Sequence, residues 1–170
     1  MAFKKENTIL GLGKIQIDGT DIGYTRGGGQ FVVNRTFHDI VADGDRGTHK
    51  DAVIIDEERA TLQASFIELI SENMVKLFPA LAETAGTNVT TLKPTFEVLL
   101  ADYHEVVWIG KTKAGNAVKI TLHNAISKDN IDWSLEEKNE VVQSVTFEAC
   151  YEELTDIFAY KAPYEIEYAS

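Results

Sequence analysis

The stretch AVIIDEERATLQASFIEL, residues 52–69, decides the fold class. Ala60, Leu62, Ala64 and Phe66 alternate with Arg59, Thr61, Gln63 and Ser65. Successive side chains of a strand point to opposite faces, so this period of two predicts a long strand with one buried and one polar face. The period then changes. Ile70, Met74, Leu77, Phe78 and Leu81 recur at helical spacing, and Ser71 is a good N-cap, which predicts one short helix over about 71–82. Pro79 ends or bends it.

Working outward, the same alternation recurs in both directions. Upstream, Ile15 and Ile17 meet Ile22 and Tyr24 across Asp18-Gly19, a pair suited to a tight hairpin. The triplet Gly27-Gly28-Gly29 reads as a bulge or bend before a strand with Phe31, Val33 and Phe37 on one side and Gln30, Asn34 and Thr36 on the other. Residues 38–51, HDIVADGDRGTHKD, are charged and glycine-punctuated, and they predict a long exposed loop. Downstream, residues 83–94 read as a polar loop. Val106 to Ile109 leads through a Gly115-Asn116 turn to a strand with Val118, Ile120 and Leu122 inward. A last hairpin is predicted from Ile131, Trp133 and Leu135, alternating with Asp132, Ser134 and Glu136. Its second arm carries Val141, Val145, Phe147, Ala149 and Tyr151, with Ser144, Thr146 and Glu148 opposite. The expectation is one mainly β domain over residues 1–170, a β-sandwich or rolled barrel with one flanking helix and a tail over about 152–170.

Composition narrows the function. The chain has 16 Lys and Arg against 27 Asp and Glu, a net charge of −11. Nucleic-acid affinity comes mainly from cations that neutralise phosphates, so this balance argues against a DNA binder, although not against a surface that DNA slides past. The apolar runs fall far short of the roughly 20 residues that span a bilayer. The short Thr8-Ile9-Leu10 segment after Lys4 and Lys5 is no signal-peptide core. Cys150, alone, makes no internal disulfide and suits a reducing compartment as a structural thiol.

Chemical motifs fail one by one. The glycine triplet leads into a strand and no GK[ST] follows, so it is no phosphate loop. Asp43-Gly44-Asp45-Arg46-Gly47 resembles the start of a calcium loop, but the twelfth position is Ile54 rather than an acid, which leaves at most an adventitious cation site. His38, His49, His104 and His123 show no zinc spacing and read as strand-edge or surface residues. Carboxylates in Asp56-Glu57-Glu58 and Glu136-Glu137 alternate across strand faces, so most of them cannot converge on one substrate. No catalytic, cofactor or metal constellation emerges, and the chain reads as non-enzymatic.

Four segments, GLGKIQIDGTDIG (11–23), VIIDEERATLQASFIELISENMVKLFP (53–79), AVKITLHNAISKDNIDWSLEEKNEVVQSVTFEACY (117–151) and APYEI (162–166), together resemble the tail tube proteins of long-tailed bacteriophages. The resemblance covers most of the chain in order and rests on fold patterns rather than chemistry. It implies that six copies form a ring and that rings stack into the hollow tail tube through which the genome passes. It implies no cofactor, a virion-tail location after assembly in the host cytoplasm, and as partners further copies of the chain, a tape measure protein, a tail terminator and distal tail proteins. The loop would contact the next ring through His38, Asp39, Asp43, Asp45, Arg46, His49, Lys50 and Asp51. The lumen wall would draw on Gln30, Asn34, Thr61, Gln63, Ser65, Asp132, Ser134, Glu136, Ser144, Thr146 and Glu148. The tube of a contractile tail or of a related secretion or bacteriocin-like device remains an alternative on the same pattern. So does a monomeric β-sandwich binding module, which Trp108 and Trp133, read as core, disfavour.

Overall fold

The computed structural model describes residues 4–44, 46–152 and 162–169. In chain order the elements are β1 (Ile9–Ile17), β2 (Thr20–Asp21), β3 (Thr25–Asp39), β4 (Val53–Phe66), α1 (Ser71–Leu77), β5 (Leu81–Gly86), β6 (Val89–Pro94), β7 (His104–Thr112), β8 (Ala117–Ser127), β9 (Gln143–Ala149) and β10 (Tyr164–Tyr168). The protein is mainly β. One antiparallel sheet runs β2-β1-β7-β8-β9-β4-β3, with β10 added to β8, and β5-β6 form a separate hairpin.

β8 joins two layers. Its first half pairs with β7 and β10 and its last residues pair with β9, so the sheet folds over on itself into a sandwich. Cross-strand rows face inward from each layer. Ile17, Val106, Leu122 and Tyr164 form one row, and Ile15, Trp108, Ile120 and Ile166 the next. Phe31, Leu62 and Phe147 form a row in the opposite layer. Ala60, Leu62, Ala64 and Phe66 are all buried, as their alternation requires. Each fully buried side chain of the size of Phe66 or Phe147 contributes about 1.5–3 kcal/mol by leaving water. β1 and β3 line a common space but do not pair, so the barrel stays open.

Turn chemistry sets the hairpins. Asp18 and Gly19 both hold positive φ (49° and 74°), the twist a two-residue connection between β1 and β2 needs. Gly27 and Gly28, at φ 88° and 81°, form the bulge where the β3–β4 register slips between Thr25 and Gly29.

Several expectations need correction. The helix is shorter than 71–82 and spans Ser71–Leu77. Ile70, extended at φ −77° and ψ 159°, occupies the N-cap, and the Ser71 hydroxyl donates instead to Glu83 Oε1 at 3.3 Å. The 38–51 loop is also shorter, because His38 and Asp39 still pair with Ile54 and Val53. Residues 83–94 are not a loop. Thr87 and Asn88 (φ 62°) turn β5 into β6, and Leu81 and Leu92 pack on the core.

The strand expected over 131–136 does not form. Gln143 accepts a hydrogen bond from Asp132 N at 3.1 Å and donates to Asn130 O at 3.2 Å. A side chain has taken backbone groups that a ladder would use, and Trp133 is left exposed. The C-terminal segment, expected as a tail, contributes β10, a full partner of β8.

Candidate functional site

The β3–β4 hairpin is the longest element. Only its proximal part is anchored: Phe31 and Val33 lie against the core, while β4 is buried from Ala60 onward. Beyond Asn34 and Arg59 the two strands continue with little burial. A second bulge between Thr36 and Phe37 shifts which residues share a face. Phe37 then lies opposite Ile55, His38 opposite Ile54 and Asp39 opposite Val53. Phe37, Ile40, Val41, Val53, Ile54 and Ile55 are all exposed, on both faces of the arm. Three consecutive apolar residues, Val53-Ile54-Ile55, cannot all point to one side of a strand. That was the available sequence signal for an apolar tip, and the charge of the adjoining loop masked it.

The loop itself is braced. Ile40 N donates to Ala52 O at 2.7 Å, and the Thr48 hydroxyl donates to Asp39 Oδ2 at 2.8 Å. Asp43, Arg46, His49, Lys50 and Asp51 are exposed around it, whereas Asp45 lies outside the described residues. The other contact residues expected from sequence are therefore gathered at one end of the molecule, with the apolar residues among them.

The outer face of the β3–β4–β9 layer collects eight of the expected wall residues. Gln30, Gln63 and Thr146 form one row, Thr61 stands beside Glu148 and Ser65 beside Ser144, while Asn34 pairs with Arg59. The Gln63 amide donates to Ser144 Oγ at 3.2 Å. Asp132, Ser134 and Glu136 do not join these rows, because their segment is irregular. Nor is the face purely acidic. Lys128 Nζ lies 3.1 Å from Glu148 Oε2. Arg59 is paired with Glu57, whose carboxylate raises the guanidinium further above its usual range, with Glu148 adding to the effect. The result is a polar face whose charges are largely paired.

Strand borders are open. Among the described residues β3 has no strand partner on the side away from β4, and residues 9–14 of β1 have none on the side away from β7, since β2 reaches only Gln16 and Ile17. At the helix end, Phe78, Pro79, Leu81, Pro94, Phe96 and Ile131 line a groove of about 590 Å³, together with the polar run Ser127 to Asn130. Beside it Val98, Leu99 and Leu100 are also exposed.

A second cavity, about 360 Å³, opens between β1 and β3 over Trp108, Ile120, Ile166 and Tyr168. Its lining carries no ionisable group except the Tyr168 phenol. Cys150 stands apart; burial pushes its thiol above the usual range. His104 and His123 are not free surface residues. His104 Nδ1 sits 2.7 Å from Asp18 Oδ2, and His123 lies between Glu105 and Glu165 at 3.6 and 3.4 Å. Among the described residues no three His, Cys, Asp or Glu side chains could hold a metal ion. No described helix is long and apolar enough to cross a membrane.

No protein-family model matches the chain, and no curated protein matches its sequence.

Proposed function

We propose that the protein is a structural subunit that assembles as stacked rings into a hollow tube for passing phage DNA. The observation that carries this reading is the β3–β4 arm, which leaves the core and displays apolar side chains on both faces. Contiguous apolar patches of this kind mark surfaces meant to be covered. Unpaired strand borders give a second means of joining. An exposed edge invites pairing with another chain, and pairing around a closed ring leaves no free edge.

The polar β3–β4–β9 face suits a lumen wall. Its cations, Arg59 and Lys128, are each held by a carboxylate, so few are left for phosphates. With screening over about 8 Å at physiological salt, the net charge of −11 acts on DNA near such a wall and not across a wide bore. A polyanion would slide past without being held.

The monomeric binding module draws on the 360 Å³ apolar cavity. The two readings separate by size. Negative-stain microscopy of the purified protein at high concentration should show rings or tubes. Deleting residues 42–48 should leave a folded protein that no longer makes long tubes. A wild-type chain that stays monomeric at every concentration, or a deletion variant that still makes normal tubes, overturns the assignment.

A further inference from the structure

Strand pairing builds each inward row of the β1–β7–β8–β10 layer from one residue per strand. Ile15, Trp108, Ile120 and Ile166 form one such row, and the next is Gly13, Gly110, Val118 and Tyr168. Two of its four positions carry no side chain, and Gly28 and Gly29 line the same space from β3. The Trp108 indole leans over Gly13 and Gly110 and takes part of that space. What it leaves is the cavity of about 360 Å³, whereas protein interiors otherwise hold few voids larger than a water molecule. The floor of the cavity, Ile15, Leu62 and Ala64, belongs to the buried core.

Its chemistry selects an occupant. The rings of Phe31, Trp108 and Tyr168 line it from three different strands, and the Tyr168 phenol at its exposed mouth is the lone ionisable group of the lining. A charged ligand would shed its water there with no counter-charge waiting. Arg26, next to the lining residue Thr25, is already paired with Glu140. Among the described residues Trp108 Nε1 has no hydrogen-bond partner, and it lies against Gly13 on the cavity wall. One donor in an otherwise apolar lining is the pattern of a small-molecule site, and such sites run from about 300 to 1,000 Å³. This one falls at the small end.

We infer that the cavity binds a small neutral aromatic molecule carrying a hydrogen-bond acceptor, its ring against Phe31 and Trp108 and its acceptor on Trp108 Nε1. Aromatic rings meet one another edge-on or offset, and three rings of the lining offer such contacts. The missing side chains at Gly13, Gly28 and Gly29 give the ligand its room. The site is complete within one copy, so it goes beyond the assembly proposed above and stands whether or not rings form.

Prodan, a neutral naphthalene bearing a ketone, is the probe, because its emission moves to the blue in apolar surroundings. In a Trp133→Phe background Trp108 is the sole tryptophan. Titration of dilute protein should give saturable blue-shifted emission at one probe per chain, with Trp108 quenched by energy transfer. Gly11→Phe projects a ring into the cavity from β1, where nothing lies within 4 Å of an added Cβ. It should weaken binding about tenfold or more with circular dichroism unchanged. Thr25→Phe fills the cavity from the β3 side and carries the same expectation should Gly11→Phe not fold. Anilinonaphthalene sulfonate, a related ring system with a fixed charge, should bind about tenfold more weakly than Prodan. No saturable binding to the parent protein, or binding that survives the filling variants, overturns the inference. Equal affinity for the sulfonate overturns the neutral class of ligand. Expulsion of the probe as protein concentration rises would give the cavity to a neighbouring copy and overturn the inference too. The titration is read on unassembled chains, so a failure to form tubes leaves it intact.

Discussion

Gly110→Ala tests how the inner rows are packed. Gly13 and Gly110 pair across β1 and β7, and the Trp108 indole lies over both. A Cβ built on Gly110 would stand 2.1 Å from Trp108 Cη2, and one on Gly13 would stand 2.4 Å from Trp108 Nε1. Real carbon contacts are near 3.5–4.0 Å, so the ring must leave its place between Ile15 and Ile120. Overpacking of this kind costs about 1–3 kcal/mol. At about 2–4 °C per kcal/mol for a chain of this size, the melting temperature should fall by roughly 2–12 °C. Gly11→Ala is the control, because nothing lies within 4 Å of its added Cβ, and it should stay within about 0.5 kcal/mol of wild type. Trp108→Leu completes a double-mutant cycle read by urea denaturation followed by circular dichroism. With the indole gone, Gly110→Ala should become nearly neutral, a coupling of about 1 kcal/mol or more. If Gly110→Ala costs as much in the Trp108→Leu background as in wild type, the indole is not what the glycine accommodates.

Phe147→Ala, at the centre of the row with Phe31 and Leu62, should cost about 3–5 kcal/mol in the same assay, whereas Phe37→Ala on the exposed arm should cost little and impair assembly instead. The Asp21 carboxylate accepts hydrogen bonds from the Gln16 amide and from Lys14, which hold its pKa below the usual range. A depressed carboxylate pKa gives stability that is present above the unfolded value of about 3.9 and is lost as pH falls through the folded value. An NMR titration should place the Asp21 midpoint below about 3.9, and Gln16→Ala should raise it. Cys150, its thiol pushed up by burial, should alkylate more slowly at pH 8 in the native protein than in denaturant; equal rates would contradict the structure.

Alternation along the chain is enough to place every buried residue of β4 and the inward row of β9, because period two is a local property that a strand with one wet face must display. The Asp18-Gly19 turn and the glycine bulge are legible for the same reason, since backbone sterics act over two or three residues. Register and partnership are not. Residues 131–136 alternate as clearly as β9, yet Gln143 reaches across and claims the backbone N–H of Asp132 and the carbonyl of Asn130. Residues 83–94 look like a polar loop until Leu81 and Leu92 find the core together. The assembly surfaces depend still more on the tertiary structure. Sequence alone marks residues 38–51 as an excursion. Only the paired length of β3 and β4 decides that Phe37 and Val53 to Ile55 stand outside the core. Whether an apolar side chain is buried depends on which other strands reach it, and that is a property of the folded chain rather than of its neighbours in sequence.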